Sequence, residues 1–163
     1  MKTLMLLRHG KSSWKNASLS DHERPLNERG RNDAPRMGRL LYSQELVPDL
    51  IYSSTATRAA DTAAAAALAM NFEGDIVYTD RLYHAAPETV VAIARATDES
   101  ISSILMVGHN PGLEELMEDL SGHAERLPTA ALAVFELEID TWDEFGQGQS
   151  ARLAHFWLPR AIA

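Results

Sequence analysis

Apolar residues fall along this chain in short runs without alternation, separated by longer amphipathic stretches, the pattern of buried parallel strands set between helices. Thr3 to Leu7 is the first such run and it ends at Gly10. The polar stretch from Lys11 to Pro25 predicts a loop. From Asn27, an N-cap residue by type, a helical pattern carrying Leu40 and Leu41 runs toward Glu45; Gly30 and Pro35 inside it predict a kink or a late start near Pro35. Leu50 to Tyr52 predicts a second buried strand, followed by Ser53-Ser54-Thr55 and a helix through Ala69 that contains an alanine run. Ile76 to Tyr78 predicts a third strand, and Pro87 the first turn of a helix carrying Thr89 to Ala96. Ser103 to Val107 predicts a fourth strand ending at Gly108, with Pro111 opening the next helix. The last third changes character. Leu132 to Ile139 and Arg152 to Trp157, around a Gly146-Gln147-Gly148 turn region, predict an antiparallel pair.

This order of elements predicts a three-layer α/β/α fold with a mostly parallel mixed sheet. No linker, repeat or charge block divides the chain, so one domain over residues 1–163 is expected. At 163 residues and 45% hydrophobic content it can bury a core. The absence of cysteine removes disulfides and thiolate zinc ligation. The apolar run at Leu4 to Leu7 is broken at once by Arg8 and His9, too early for a signal peptide or a membrane span, and a cytoplasmic location follows as the expectation. A formal net charge of -8 repels nucleic acid and anionic lipid over the general surface, so neither is an expected partner. Any anion site must therefore be built locally.

Ligands of open parallel sheets bind beyond the carboxyl ends of the strands. Three such ends carry unusual side chains here: Arg8-His9-Gly10, Ser53-Ser54 with Arg58 a turn into the helix, and Gly108-His109-Asn110-Pro111-Gly112. Arginine forks and helix N-termini match phosphate oxygens, and a neutral imidazole is a competent nucleophile toward phosphorus. Gly10, lacking a Cβ, would let a substrate approach the backbone. Six histidines raise the question of a metal. No His-Glu-x-x-His spacing exists, and arginines in the same site would repel a cation, so neither metal nor cofactor is expected. His22, His123 and His155 are expected on loops or strand faces without a role.

These motifs, with Arg24-Pro25-Leu26-Asn27-Glu28-Arg29-Gly30 and Leu82-Tyr83-His84, resemble the histidine phosphatase superfamily, whose fold is phosphoglycerate-mutase-like. The compact size is most similar to the SixA-type phosphohistidine phosphatase branch. The resemblance implies His9 as nucleophile, Arg8, Arg58 and His109 as ligands of the transferred phosphoryl group, and Ser12 as a further phosphate contact. Larger members place a glutamate as general acid where this chain has His84, so the resemblance leaves the acid open between His84, Glu88 and Asp21. Only fifty residues separate Arg58 from His109, too few for the large cap that many members insert there. The implied substrate is a phosphohistidine in a protein; a small phosphorylated metabolite, or phosphate-dependent binding without turnover, are the alternatives.

Overall fold

Along the chain the elements are β1 (Lys2–Arg8), α1 (Glu28–Ser43), β2 (Leu50–Ser54), α2 (Thr57–Ala69), β3 (Asp75–Thr79), α3 (Pro87–Arg95), β4 (Ser103–Gly108), α4 (Gly112–Ser121), β5 (Leu132–Leu137) and β6 (Ala151–Trp157), with short 3-10 turns at Asp80–Leu82, Trp142–Glu144 and Pro159–Ala161. The computed structural model describes residues 1–148 and 150–162; Gln149 and Ala163, both inside the expected domain span, lie outside the described residues.

The strands form one sheet in the order β3-β2-β4-β1-β5-β6. β1 pairs parallel with β4 and antiparallel with β5, and β2 pairs parallel with both β3 and β4. β5 and β6 are the expected antiparallel pair. Because successive strand residues point to opposite faces, β1 feeds two cores. Leu4 and Leu6 pack with Val90 and Ile93 of α3 and with Leu113 and Leu116 of α4. Met5 and Leu7 pack with Met37 and Leu41 of α1 and with Ala59, Ala63 and Ala66 of α2. Helices thus cover both faces, which is why the central strands are apolar without alternation. The result is a three-layer α/β/α fold with a mostly parallel sheet and no added cap.

One expectation about α1 is corrected. The helix begins at Glu28, with Asn27 accepting the Gly30 N–H at 2.9 Å, and it runs through Pro35 without a late start. The cap and the burial of Met37 and Leu41 outweigh the one backbone bond that Pro35 cannot donate. Gly30 is there for close approach: a Cβ would lie 2.2 Å from the Lys11 carbonyl oxygen, so only glycine lets α1 press against the loop that leaves β1. That loop, from Lys11 to Pro25, carries much of the site.

Candidate active site

Arg8, His9, Ser12, Arg58, His84 and His109 all line one cavity of about 240 Å³ at the carboxyl ends of β1, β2 and β4, with Lys11, Trp14 and Arg24 beside them. The parallel register explains the convergence. Arg8 stands opposite Gly108 and Ser53 opposite Val107, so the residues that follow these strands emerge side by side. The His9 and His109 rings lie 5.0 Å apart between centroids.

His9 Nδ1 sits 2.7 Å from the Gly10 carbonyl oxygen. A carbonyl only accepts, so Nδ1 carries the proton and Nε2 keeps its lone pair. Burial lowers the pKa of His9 to about 4, and Arg58, Arg8 and Arg24 add to the effect against the opposing Gly10 bond. Burial likewise lowers His109 to about 3, helped by His9 and Arg58. His109 Nε2 is 2.8 Å from the Ser54 hydroxyl, which also accepts the Ala56 N–H. Among the described residues, His109 Nδ1 and Arg8 Nε are buried without a hydrogen-bond partner. Buried polar groups left open at a cavity wall are what an anionic ligand would satisfy.

Both imidazoles are neutral at pH 7, so the unfolded chain binds more protons than the folded one once the pH drops below their ordinary 6.5. Their contribution to stability is complete above 6.5 and is lost as the pH falls toward about 4 for His9 and about 3 for His109. A titration of Tm should decline over the upper part of that window, above the range in which carboxylates protonate, and His9→Asn should flatten the slope. A parent Tm that is flat from pH 6.5 down to about 5 would contradict the burial of neutral histidine.

Asp21, one of the three candidates for the general acid, is instead a hub that holds the site's arginines. Its Oδ2 accepts from the Tyr83 hydroxyl at 2.6 Å and from Arg58 Nη2 at 3.0 Å, its Oδ1 accepts from Arg24 Nη1 at 2.8 Å, and its backbone carbonyl accepts from Arg58 Nη1 at 2.6 Å. The Tyr83 bond first, then Arg58 and Arg24, hold this carboxyl well below the usual carboxylate range. It is a poor proton donor at neutral pH. Glu88 lines a different depression, beside Pro87 and Phe145. His84 remains at the cavity, with its side chain 64% exposed and its Nε2 3.8 Å from Asp21 Oδ2.

Gly10 does not line the cavity. The direction its Cβ would take meets Gly30 Cα at 3.0 Å and Leu26 at 3.2 Å, so its want of a side chain serves the contact between α1 and the β1 end; its N–H donates to Thr62 Oγ1. Arg24, noted in the sequence only as part of a motif, is buried, donates to the Ser12 hydroxyl and to the Ser13 carbonyl, and carries the Trp14 ring 3.3 Å from its guanidinium. Arg8 Nη1 and Asn110 Nδ2 both donate to the Leu127 carbonyl, at 3.3 and 2.9 Å, and Glu114 accepts from Asn110 and from the Leu127 N–H. The segment before β5 is thereby fastened to the cavity wall. His22, expected to be idle, lies edge-on to Tyr83 at 4.8 Å. Thr62 and Leu127 carry no motif that a single sequence would reveal, and the motif that contains Arg24 gave it no place in the cavity.

The family model for the histidine phosphatase superfamily (branch 1) matches residues 4–85. The chain belongs to the histidine phosphatase superfamily. A chloroplastic protein of Arabidopsis thaliana is 34% identical over 152 residues, 88% of this chain and 70% of that protein. The crystal structure of a protein assigned as the phosphohistidine phosphatase SixA of Agrobacterium tumefaciens is 34% identical, with a TM-score of 0.84 over 97% of this chain and 98% of that one. The protein histidine phosphatase SixA complexed with tungstate shares the fold, with a TM-score of 0.84 at 22% identity over 99% of each chain. The compact histidine phosphatase fold, of the SixA-like branch, is therefore present from end to end of the described chain. Histidine phosphatases of this kind are hydrolases. Among the described residues no group of three or more His, Asp or Glu is placed to hold a metal ion, and no helix is long and apolar enough to cross a membrane.

Proposed function

We propose that this chain removes the phosphoryl group from a phosphohistidine of another protein, by way of a phosphoryl group held covalently on His9. The observation that carries the reading is the bond between His9 Nδ1 and the Gly10 carbonyl, because it fixes the tautomer in which Nε2 is the nucleophile. In the first step a bond forms between Nε2 and phosphorus as the bond from phosphorus to the substrate's imidazole nitrogen breaks. The leaving nitrogen takes a proton from His84, which pairs with Asp21 when protonated. Water then attacks phosphorus, the bond to His9 Nε2 breaks, inorganic phosphate leaves, and the water's proton returns to His84. Arg8, Arg58 and His109, with Ser12 and Arg24, hold the three equatorial oxygens as their charge shifts.

Two observations support a protein substrate. The segment between Arg58 and His109 is filled by β3, α3 and β4, so nothing inserted there roofs the cavity. The 34% identical relative of known structure is assigned as a phosphohistidine phosphatase. An imidazole leaves readily once protonated, whereas an alkyl ester oxygen leaves poorly and leans far more on the acid. A phosphohistidine peptide should exceed an alkyl phosphate in kcat/KM by about a hundredfold or more, the usual worth of general acid catalysis. Chelators should leave turnover unchanged, and His84→Ala should slow both substrates, the ester more. Equal turnover of the alkyl phosphate by the parent would make a metabolite phosphatase the correct reading.

A further inference from the structure

We propose that the surface running from Trp14 to Arg160 is the docking face for an acidic segment of the phosphorylated partner protein. The inference rests on the phosphohistidine reading above and adds to it the chemistry by which the partner is recognised. The loop after β1 joins two depressions: Lys11 and Trp14 line the catalytic cavity, and Lys15 lines a neighbouring groove of about 900 Å³. Arg29 and Arg36 from α1 and Arg160 from the C-terminal turn line the same groove, with Glu28 and Asp33 as its two carboxylates.

The groove is held in shape by its own ion pairs. Asp33 is buried and shared between Arg29 at 3.6 Å and Arg36 at 3.3 Å, one negative charge for two guanidiniums. Arg36 also donates to the Pro159 carbonyl at 3.3 Å, which fastens the turn bearing Arg160 to α1. The side chains of Lys15 and Arg160 have no ion-pair partner among the described residues. Eight of the fifteen lysines and arginines line the two depressions, against two of the twenty-three acidic residues. On a chain of net charge -8, that asymmetry attracts an acidic partner to this face against the repulsion of the net charge, delivering its phosphohistidine toward the cavity.

Trp14 supplies the apolar contact. It is 73% exposed, and its ring lies 3.3 Å from the Arg24 guanidinium, so one face is held by a cation and the other is open at the cavity mouth. An exposed tryptophan beside cations is the composition of an interface anchor. A nucleic acid is the less fitting occupant, since Glu28 and Asp33 interrupt the cationic line that a continuous phosphate backbone would follow.

The test uses three synthetic peptides of one length, each with a central phosphohistidine, flanked by glutamates, glutamines or lysines, and free phosphohistidine as the small substrate. At low salt the glutamate peptide should exceed the lysine peptide in kcat/KM by about tenfold or more, through KM, and about 0.5 M salt should erase the difference. Lys15→Glu with Arg160→Glu should abolish or invert that preference, and Trp14→Ala should raise KM for all three peptides. The Lys15→Glu, Arg160→Glu variant should turn over free phosphohistidine like the parent. Equal turnover of the three peptides by the parent, or an equal fall for free phosphohistidine in that double variant, would overturn the docking face. Failure of the catalytic reading would show separately, as absence of His9-dependent hydrolysis of free phosphohistidine. The docking face is read independently of chemistry from the anisotropy of labelled, unphosphorylated glutamate and lysine peptides on the His9→Ala protein. Tighter binding of the glutamate peptide there supports it, and preferential displacement of that peptide by an oligonucleotide overturns it.

Discussion

His9→Ala should lose turnover by about 10⁴-fold or more, as removal of an enzymatic nucleophile does, while leaving Tm at pH 7 close to that of the parent. Rapid quench of the parent with labelled substrate should trap a phosphoenzyme that is labile to acid and stable to base, the signature of a P–N bond, and His9→Ala should trap none. The second half of the expectation comes from the site's own packing. His9 is 7% exposed but makes one side-chain hydrogen bond, to the carbonyl of the next residue, so its removal frees one backbone acceptor beside the cavity. In the parent, kcat/KM should fall at low pH along a limb set by protonation of free His9, whose pKa of about 4 places the loss well below neutrality. Trapping in His9→Ala, or a base-labile phosphoenzyme in the parent, would assign the covalent step to another residue.

Arg58→Ala should lower kcat/KM by about 10²- to 10³-fold, near 3–4 kcal/mol, the cost of deleting one preorganised donor from an anion hole. Arg58 is buried, and both of its terminal nitrogens donate to Asp21, one to the carboxylate and one to the backbone. That second task gives the variant a structural component, because Asp21 then loses two of its hydrogen bonds and the loop from Lys11 to Pro25 loosens. Arg58→Lys separates the two: it keeps the charge but loses the planar fork, so it should recover only part of the rate. Vanadate inhibition should weaken in both variants. If Arg58→Ala stays within threefold of the parent in kcat/KM while its Tm drops, Arg58 is a clip for the loop and not a ligand of the phosphoryl group.

Much of the fold was legible in the sequence because its signals are local. Unalternating runs such as Thr3 to Leu7 and Ser103 to Val107 mark strands covered on both faces, and the alanine-rich stretch before Ala69 marks a helix at once. The strand-end motifs Arg8-His9-Gly10, Ser53-Ser54 and Gly108-His109 were visible for the same reason: each lies where an apolar run stops. Pro35 and Gly30 misled about the start of α1, since a cap bond at Asn27 and a close approach to the Lys11 carbonyl are decided by neighbours outside the helix. The tertiary structure alone decided the rest of the site. Asp21 meets Arg58 and Tyr83 across 37 and 62 residues, and Arg8 reaches the Leu127 carbonyl across 119, each contact having at least one partner in a loop with no period to read. Which nitrogen of His9 is free, why Asp21 stays ionised, and how Trp14 comes to rest on Arg24 follow from burial and charge around those atoms. The order of residues fixes which side chains the chain owns at each strand end; only the packing of the loops fixes their protons and their partners.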